Sequence, residues 1–312
     1  MKQLNNLWDS LISLENIELA HKVASKKKQH YQEVIWVNNN KKLAFRYIRF
    51  ILSTGKFKTS KYVRKEIFKG GKNRVIHKLP YFPDRIVQHC ITNLCKDFWK
   101  SRMIRDTFQS IKGRGTLDCA RRVDKYIKEN KPKYCLKIDI KKFYPSVKSK
   151  SIVDKNIMRI RCKKTKELLN SIILSLDFIP LGNHISQYAG NLLLTDLDWN
   201  IKQKLKVKGY FRYCDDLVFM SNSKLELRQI HKYVKDYLNY ISLELKQPDI
   251  INLNNSYLSF VGYRFSNNKK LIRQSIAKSL KQNKKETSVP SYYGWCKHSG
   301  SFTFYKNNKG VS

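Results

Sequence analysis

An adjacent pair of aspartates is embedded in the apolar stretch YFRYCDDLVFM, residues 210–220. Two apolar arms around a polar pair have the form of a β-hairpin. A hairpin that buries its arms holds both carboxylates in a half-buried place. There they raise each other's pKa unless a cation sits between them, and a divalent metal removes that penalty. A second apolar run, YCLKIDI at 134–140, also carries an acid near its end, Asp139. If the two strands are neighbours, Asp139 and Asp215 face each other across a gap fit for a metal ion. The plain alternative is an ordinary hairpin turn with Asp at turn positions.

Charge narrows the partners. The 312 residues include 63 Lys+Arg and 24 Asp+Glu, a formal net charge of +39. A compact fold with that charge repels itself, so a polyanion is expected to offset it. Nucleic acid is the first candidate and an anionic membrane the second. The basic residues run along the whole chain instead of gathering in one amphipathic helix, so no membrane partner is expected. Hydrophobic residues at 41%, with 18 Tyr and 15 Phe, exclude a disordered basic tail. No apolar run reaches transmembrane length, and the N-terminal MKQLNNLWDSLIS lacks a signal-peptide pattern. Seven scattered cysteines without a CxxC pair suggest neither zinc nor a disulfide framework. The expectation is a soluble, reduced, cytoplasmic protein.

The pattern reads as an α+β chain. Residues 4–24 have the spacing of an amphipathic helix. Residues 40–70 read as helical and then irregular, followed by a turn at Gly70-Gly71 and a strand that stops at Pro80. Helical periodicity covers 84–104, long helices are expected over 149–176 and 186–205, and another helix over 224–245. Residues 257–265 read as a strand pair. Hard oxygen ligands with open positions suit Mg²⁺, and two such ions clamp the attacking and leaving oxygens of a nucleotidyl transfer.

The motifs resemble those of reverse transcriptases. Tyr213-Cys214-Asp215-Asp216 is similar to their YxDD box, and Asp139-Ile-Lys-Lys-Phe-Tyr144 to their first palm acid motif. Between them, Leu181-Gly182-Asn183-His184-Ile185-Ser186-Gln187 resembles the motif that supports template and incoming nucleotide. Lys72-Asn-Arg74, Ser110-Ile-Lys-Gly-Arg-Gly115, Leu243-Glu-Leu-Lys246 and Phe260-Val-Gly-Tyr263 follow in the expected order. Most bacterial members carry Gln-Gly and Ser-Pro where Leu181-Gly182 and Ser186-Gln187 stand here. That variant, with LPYFPDR at 79–85 and SYYGWCKH at 291–298, resembles the enzymes of diversity-generating retroelements, although Cys214 stands where that branch more often has Met or Ala. Phage-defence and retron-like reverse transcriptases are the alternative, and a non-catalytic RNA-binding protein a second one.

The resemblance implies a right-hand polymerase: fingers and palm over residues 1–268, with an antiparallel palm sheet backed by helices, and a short basic helical thumb over 269–312. It implies RNA-templated DNA synthesis with two Mg²⁺, dNTPs, a template RNA, a cDNA or primer strand and a small basic accessory protein. Asp139, Asp215 and Asp216 become the catalytic metal ligands. Lys72, Arg74, Tyr144, Gly182, Gln187 and Lys246 become nucleotide-binding residues. In that set Tyr144 excludes a 2′-hydroxyl and Lys246 protonates the leaving pyrophosphate. Lys112, Arg114, Gly115, Tyr213, Phe260 and Gly262 become primer–template residues. Two neighbouring residues have plainer readings, with Phe143 in the core and His184 in local hydrogen bonding.

Overall fold

The computed structural model describes residues 4–69, 72–282 and 288–309. The chain divides into two compact units interleaved in sequence. The first comprises residues 1–103 and 142–196, the second 104–141 and 197–312.

The first unit is mostly helical. Leu14–Ala24 is capped by Ser13, whose hydroxyl accepts the Asn16 N–H at 3.1 Å. Its Ile17, Ala20 and Ala24 are buried at helical spacing. Helices Gln32–Asn39, Lys41–Ser53 and Ile86–Arg102 follow, the last burying nine residues. Between them β1 (Val63–Lys69) and β2 (Lys72–Lys78) form an antiparallel hairpin. The turn expected at Gly70-Gly71 lies outside the described residues. Residues 63–69, expected to be irregular, form a strand without an apolar face: Val63 and Phe68 are 65% and 74% exposed. The helix expected over 149–176 is broken into Ser149–Asp154 and Lys163–Ile173. Asn156 and Arg159 have positive φ, and Arg161 N–H turns aside to the Leu4 carbonyl at 3.0 Å. The unit ends with helix His184–Leu193.

The second unit is built on a five-stranded sheet of β3 (Thr107–Phe108), β4 (Tyr134–Asp139), β5 (Gly209–Tyr213), β6 (Asp216–Ser221) and β7 (Asp249–Asn252), in the order β3-β5-β6-β4-β7. Helices Thr116–Asn130 and Lys224–Tyr240 back it, the first against β5 and the second against β4 and β6. Alternation of two places Cys135, Phe211, Val218 and Met220 on one face. There they share a core with Cys119, Val123 and Ile127 of the first backing helix. A three-stranded sheet, β8 (Leu258–Phe260), β9 (Tyr263–Phe265) and β10 (Lys270–Ile272), joins the same core.

Within 269–312, where a basic helical thumb is expected, the chain begins as β10 and becomes helical at Gln274–Gln282; residues 283–287 and 310–312 lie outside the described residues. Leu280, Cys296 and Tyr305 from the C-terminal segment are buried with Phe108 and Phe260. These C-terminal residues thus share the interior of the sheet unit.

Candidate functional site

The acids meet at one end of the five-stranded sheet. In the antiparallel ladder of β4 and β6, Asp139 is the register partner of Asp216, and Asp216 is also opposite Tyr213 on β5. Directly paired residues on antiparallel strands have Cα atoms about 4.5–5.5 Å apart, with side chains on the same face. Asp215 lies in the two-residue turn between β5 and β6. That turn is held from both sides: Ile140 N–H donates to the Asp215 carbonyl at 3.3 Å, and Cys214 N–H to the Phe108 carbonyl at 3.4 Å. Cys214 has φ +57, an uncommon conformation for a residue with a side chain. The guanidinium of Arg212 secures it by donating to the Cys214 carbonyl at 3.0 Å.

Lys246 belongs to the same place. Its backbone N–H donates to the Asp139 carbonyl at 2.9 Å, and Ile140 and Leu245 form a bridge. The Lys246 Nζ donates to Asp139 Oδ1 at 2.5 Å. A lysine that sequence reasoning missed, Lys137, is two residues before Asp139 on β4, hence on the same face. Its Nζ donates to the Ser259 carbonyl at 3.1 Å, tying β8 to the sheet. The period-two spacing Lys137-x-Asp139 was the available signal.

The electrostatics are those of a site short of positive charge. Burial pushes the Asp216 carboxyl up to about 6; Lys137 opposes this, and Asp215 and Asp139 add to it. Asp215 is also raised, first by burial, while its own backbone N–H and Cys214 pull the other way and Asp139 adds repulsion. Among the described residues no group of three or more His, Cys, Asp and Glu is placed so that it could hold a metal ion by itself. Mg²⁺ is commonly held by one or two carboxylates, with substrate phosphates and water completing its octahedron. Adjacent carboxylates that resist ionisation fit that mode, because a divalent cation supplies the missing charge.

The other sequence-derived residues divide between the units. In the first, Arg74 is exposed on β2 opposite Ile67. Lys72 opens β2, and its side chain lies outside the described residues. Tyr144 is half-buried in the short helix Phe143–Ser146, and Phe143 is a core residue, 3% exposed. Gln187 is half-buried on helix His184–Leu193.

Gly182 has φ +112, and a Cβ there would meet the His77 carbonyl oxygen at 2.5 Å. The close approach this glycine permits is thus to β2, which is also pinned by His77 N–H to the Leu181 carbonyl at 2.9 Å. Arg85 donates to the Gly182 carbonyl at 2.8 Å, and Gln88 donates to Asn183 Oδ1 at 2.5 Å while accepting His184 N–H at 2.9 Å. The sequence segments around 72–78, 79–89 and 181–187 are therefore knitted into one body. His184 stacks on His89 with centroids 4.1 Å apart. Burial, with nearby Arg85 and Lys28, lowers His184 to about 4. Burial, His184 and those same cations lower His89 to about 2, so the pair is neutral at ordinary pH.

In the second unit, Lys112 and Gly115 are exposed, and Arg114 donates to the Ile104 carbonyl at 2.7 Å. Gly115 is the N-cap of helix Thr116–Asn130. The Tyr213 and Thr116 hydroxyls are 3.1 Å apart. Phe260 corrects the sequence reading: it is 1% exposed and packs in the core, so its ring is not available to a nucleic acid. Gly262, at φ +84, gives its space to the Trp295 ring, which any Cβ would strike. Arg212 and Asp198, both fully buried, were also missed. An arginine inside the apolar arm YFRY was a signal that a buried acid must exist.

A family model described as reverse transcriptase (RNA-dependent DNA polymerase) matches residues 63–265. The retron Se72 reverse transcriptase of Salmonella heidelberg (strain 579083-10) is 26% identical over 176 residues, covering 53% of this chain and 44% of that protein. The retron Ec73 reverse transcriptase of Escherichia coli is 28% identical over 170 residues, covering 50% and 51%. The chain spans about half the length of these curated relatives. Among solved structures, the telomerase of Candida albicans in complex with a TWJ fragment of telomeric RNA matches with TM-score 0.50 at 11% identity, over 77% of this chain and 54% of that one. The Candida tropicalis telomerase with a TWJ fragment matches with TM-score 0.50 at 13% identity, over 82% and 56%. At such identities the likeness is one of fold, the right-hand fold of polymerases.

Proposed function

The chain belongs to the reverse transcriptase (RNA-dependent DNA polymerase) family, and on that premise we propose that it is an RNA-templated DNA polymerase adding dNTPs to a primer 3′ end. The observation that carries this reading is the register that pairs Asp139 with Asp216, beside the Asp215 turn and the Lys246 ammonium.

Asp139 and Asp215 would be the primary holders of two Mg²⁺, with Asp216 in a weaker role. When bound, the metal would supply charge for the attacking 3′-oxygen and the leaving pyrophosphate. The chain supplies the rest. Lys246, held beside Asp139, donates a proton to the pyrophosphate. Arg74 and Lys72 receive the triphosphate. Tyr144 excludes a ribose 2′-hydroxyl, and Gln187 helps place the incoming nucleotide, while Gly182 acts indirectly by seating its motif on β2. Lys112, Arg114 and the Gly115 helix start track template phosphates without base specificity. Phe260 and Gly262 shape the β8–β9 hairpin from within.

Two finer roles remain. The Leu181-Gly182 and Ser186-Gln187 variant favours copying of a template-repeat RNA into mutagenic cDNA in a diversity-generating retroelement, with a small basic accessory protein. The two retron relatives favour a retron-like or phage-defence role. A cytoplasmic location is in keeping with the seven free cysteines; separately, no described helix is long and apolar enough to cross a membrane. The test of the common reading is primer extension on an RNA template with Mg²⁺, comparing the native chain with Asp215→Asn; extension by both, or by neither, rejects it. Sequencing cDNA made on co-purified RNA separates the finer roles: errors concentrated at template adenines support the first, and a faithful copy of a structured RNA supports the second.

A further inference from the structure

Between residues 26 and 65 there are twelve Lys and Arg and a single acid, Glu33. That acid is already used, since its carboxylate accepts the Tyr81 backbone N–H at 2.7 Å. Within this stretch the helix Lys41–Ser53 buries Ala44, Phe45, Ile48, Ile51 and Leu52 on one face. Its outer surface carries two rows. Leu43, Tyr47 and Phe50 are 63%, 48% and 51% exposed and follow the i, i+4, i+7 spacing of a helix stripe. Lys42, Arg46 and Arg49, all exposed, follow the same spacing one residue behind. The rows therefore run side by side along the helix.

The preceding helix widens the aromatic row. Trp36 is 44% exposed, and its ring and that of Tyr47 both pack on Phe82, at centroid distances of 5.2 and 5.7 Å. Bracing of this kind fixes the rings before any partner arrives, which lowers the ordering cost of binding. Lys56 Nζ lies 5.4 Å from the centroid of Phe50. Glu15 lies near enough to Arg49 to feel its charge. Its carboxyl is held below the usual carboxylate range by backbone and Ser13 hydrogen bonds first, with Arg49 contributing least.

We propose that this face is a docking surface for single-stranded RNA, formed by residues that take no part in the acid site. A single strand presents phosphates along one side and base faces along the other. Cationic rows match the first, and exposed rings match the second without reading sequence. A protein partner is a poorer fit, because the core of a protein interface is depleted of charge, and here the charges border the rings along their whole length. The choice of RNA rests on the RNA-templated reading, in which the template is the long strand the enzyme must keep.

The test uses the full chain and fluorescence anisotropy of a labelled oligoadenylate RNA. The same sequence in DNA and phosphatidylserine vesicles serve as separate arms. Tyr47→Ser with Phe50→Ser should weaken RNA binding roughly a hundred-fold, about ten-fold per ring. Arg46→Ser with Arg49→Ser should reduce the slope of log affinity against log salt by about 1.4. These residues are exposed, so unchanged thermal unfolding verifies that the variants fold. RNA affinity that survives the ring variant overturns the proposal. So does a ring variant that loses only vesicle binding, only DNA binding or only self-association. Failure of the polymerase reading is seen separately. An enzyme that extends no primer yet binds RNA through these rings keeps the surface and loses the reading. One that extends primers while the ring variant binds RNA normally keeps the reading and loses the surface.

Discussion

Asp198 and Asp216 belong to the same sheet unit, and the chain treats them in opposite ways. Asp198 is fully buried and receives four hydrogen bonds: two from Arg212 at 2.8 and 2.5 Å, one from the Tyr210 hydroxyl at 2.7 Å and one from Thr107 at 3.0 Å. Its charge is answered within the fold. Burial works against the Arg212 charge, but the Asp198 carboxylate outweighs it and holds the guanidinium above its ordinary pKa. Asp216, on the neighbouring strand, is half-buried; burial raises its carboxyl to about 6, with Lys137 opposing the rise and two more acids adding to it. A buried charge with its partner supplied is part of the architecture. One left wanting is a place prepared for something the chain does not contain.

The largest test of that contrast is Asp215→Asn. It should lower the primer-extension rate by about four orders of magnitude, as expected when an electrostatic centre of the reaction is lost. Thermal unfolding of the same variant, without metal, should show no loss of stability. A stability loss in parallel with the activity would erase the distinction between the two regions. Next in size is Arg212→Met, which strands Asp198 in the interior and should cost about 3–5 kcal/mol in a denaturant titration.

Asp216→Asn acts in the reverse direction. A carboxyl raised from 3.8 to about 6 contributes stability below pH 4 that is lost as pH rises through 6. Removing its charge should therefore stabilise the metal-free protein by up to about 3 kcal/mol at pH 7.5, with the gain fading toward pH 4. A variant no more stable than the native chain at both pH values would show that Asp216 is already compensated. The smallest effect is expected at Lys246→Met. Its ion pair with Asp139 has side chains 43% and 31% exposed, so its loss should change stability by less than about 1 kcal/mol.

The same contrast explains what the sequence made legible. The acid hairpin and the strand ending in Asp139 were readable because alternating apolar arms fix register, and register fixes which residues are opposed. Lys246 was placed only through family resemblance. Strand β1 was not readable, since a hairpin solvated on both faces leaves no period in hydrophobicity. The break after Asp154 depended on a distant contact with Leu4. Phe260 misled because an aromatic beside a glycine turn looks alike in sequence whether its ring points outward or into a core. Asp198 was hidden for a related reason: its partner is fourteen residues away on another element, and only folding joins them.

The bond from Arg212 to the Cys214 carbonyl joins the architectural charge pair to the turn that presents Asp215. One planar cation thus grips the interior with two of its nitrogens and the acid turn with the third. Gradual warming should not let this loop slacken while the domain beneath it stays intact. Loss of catalytic competence and cooperative melting should coincide on one temperature axis, with no inactive but still folded species between them.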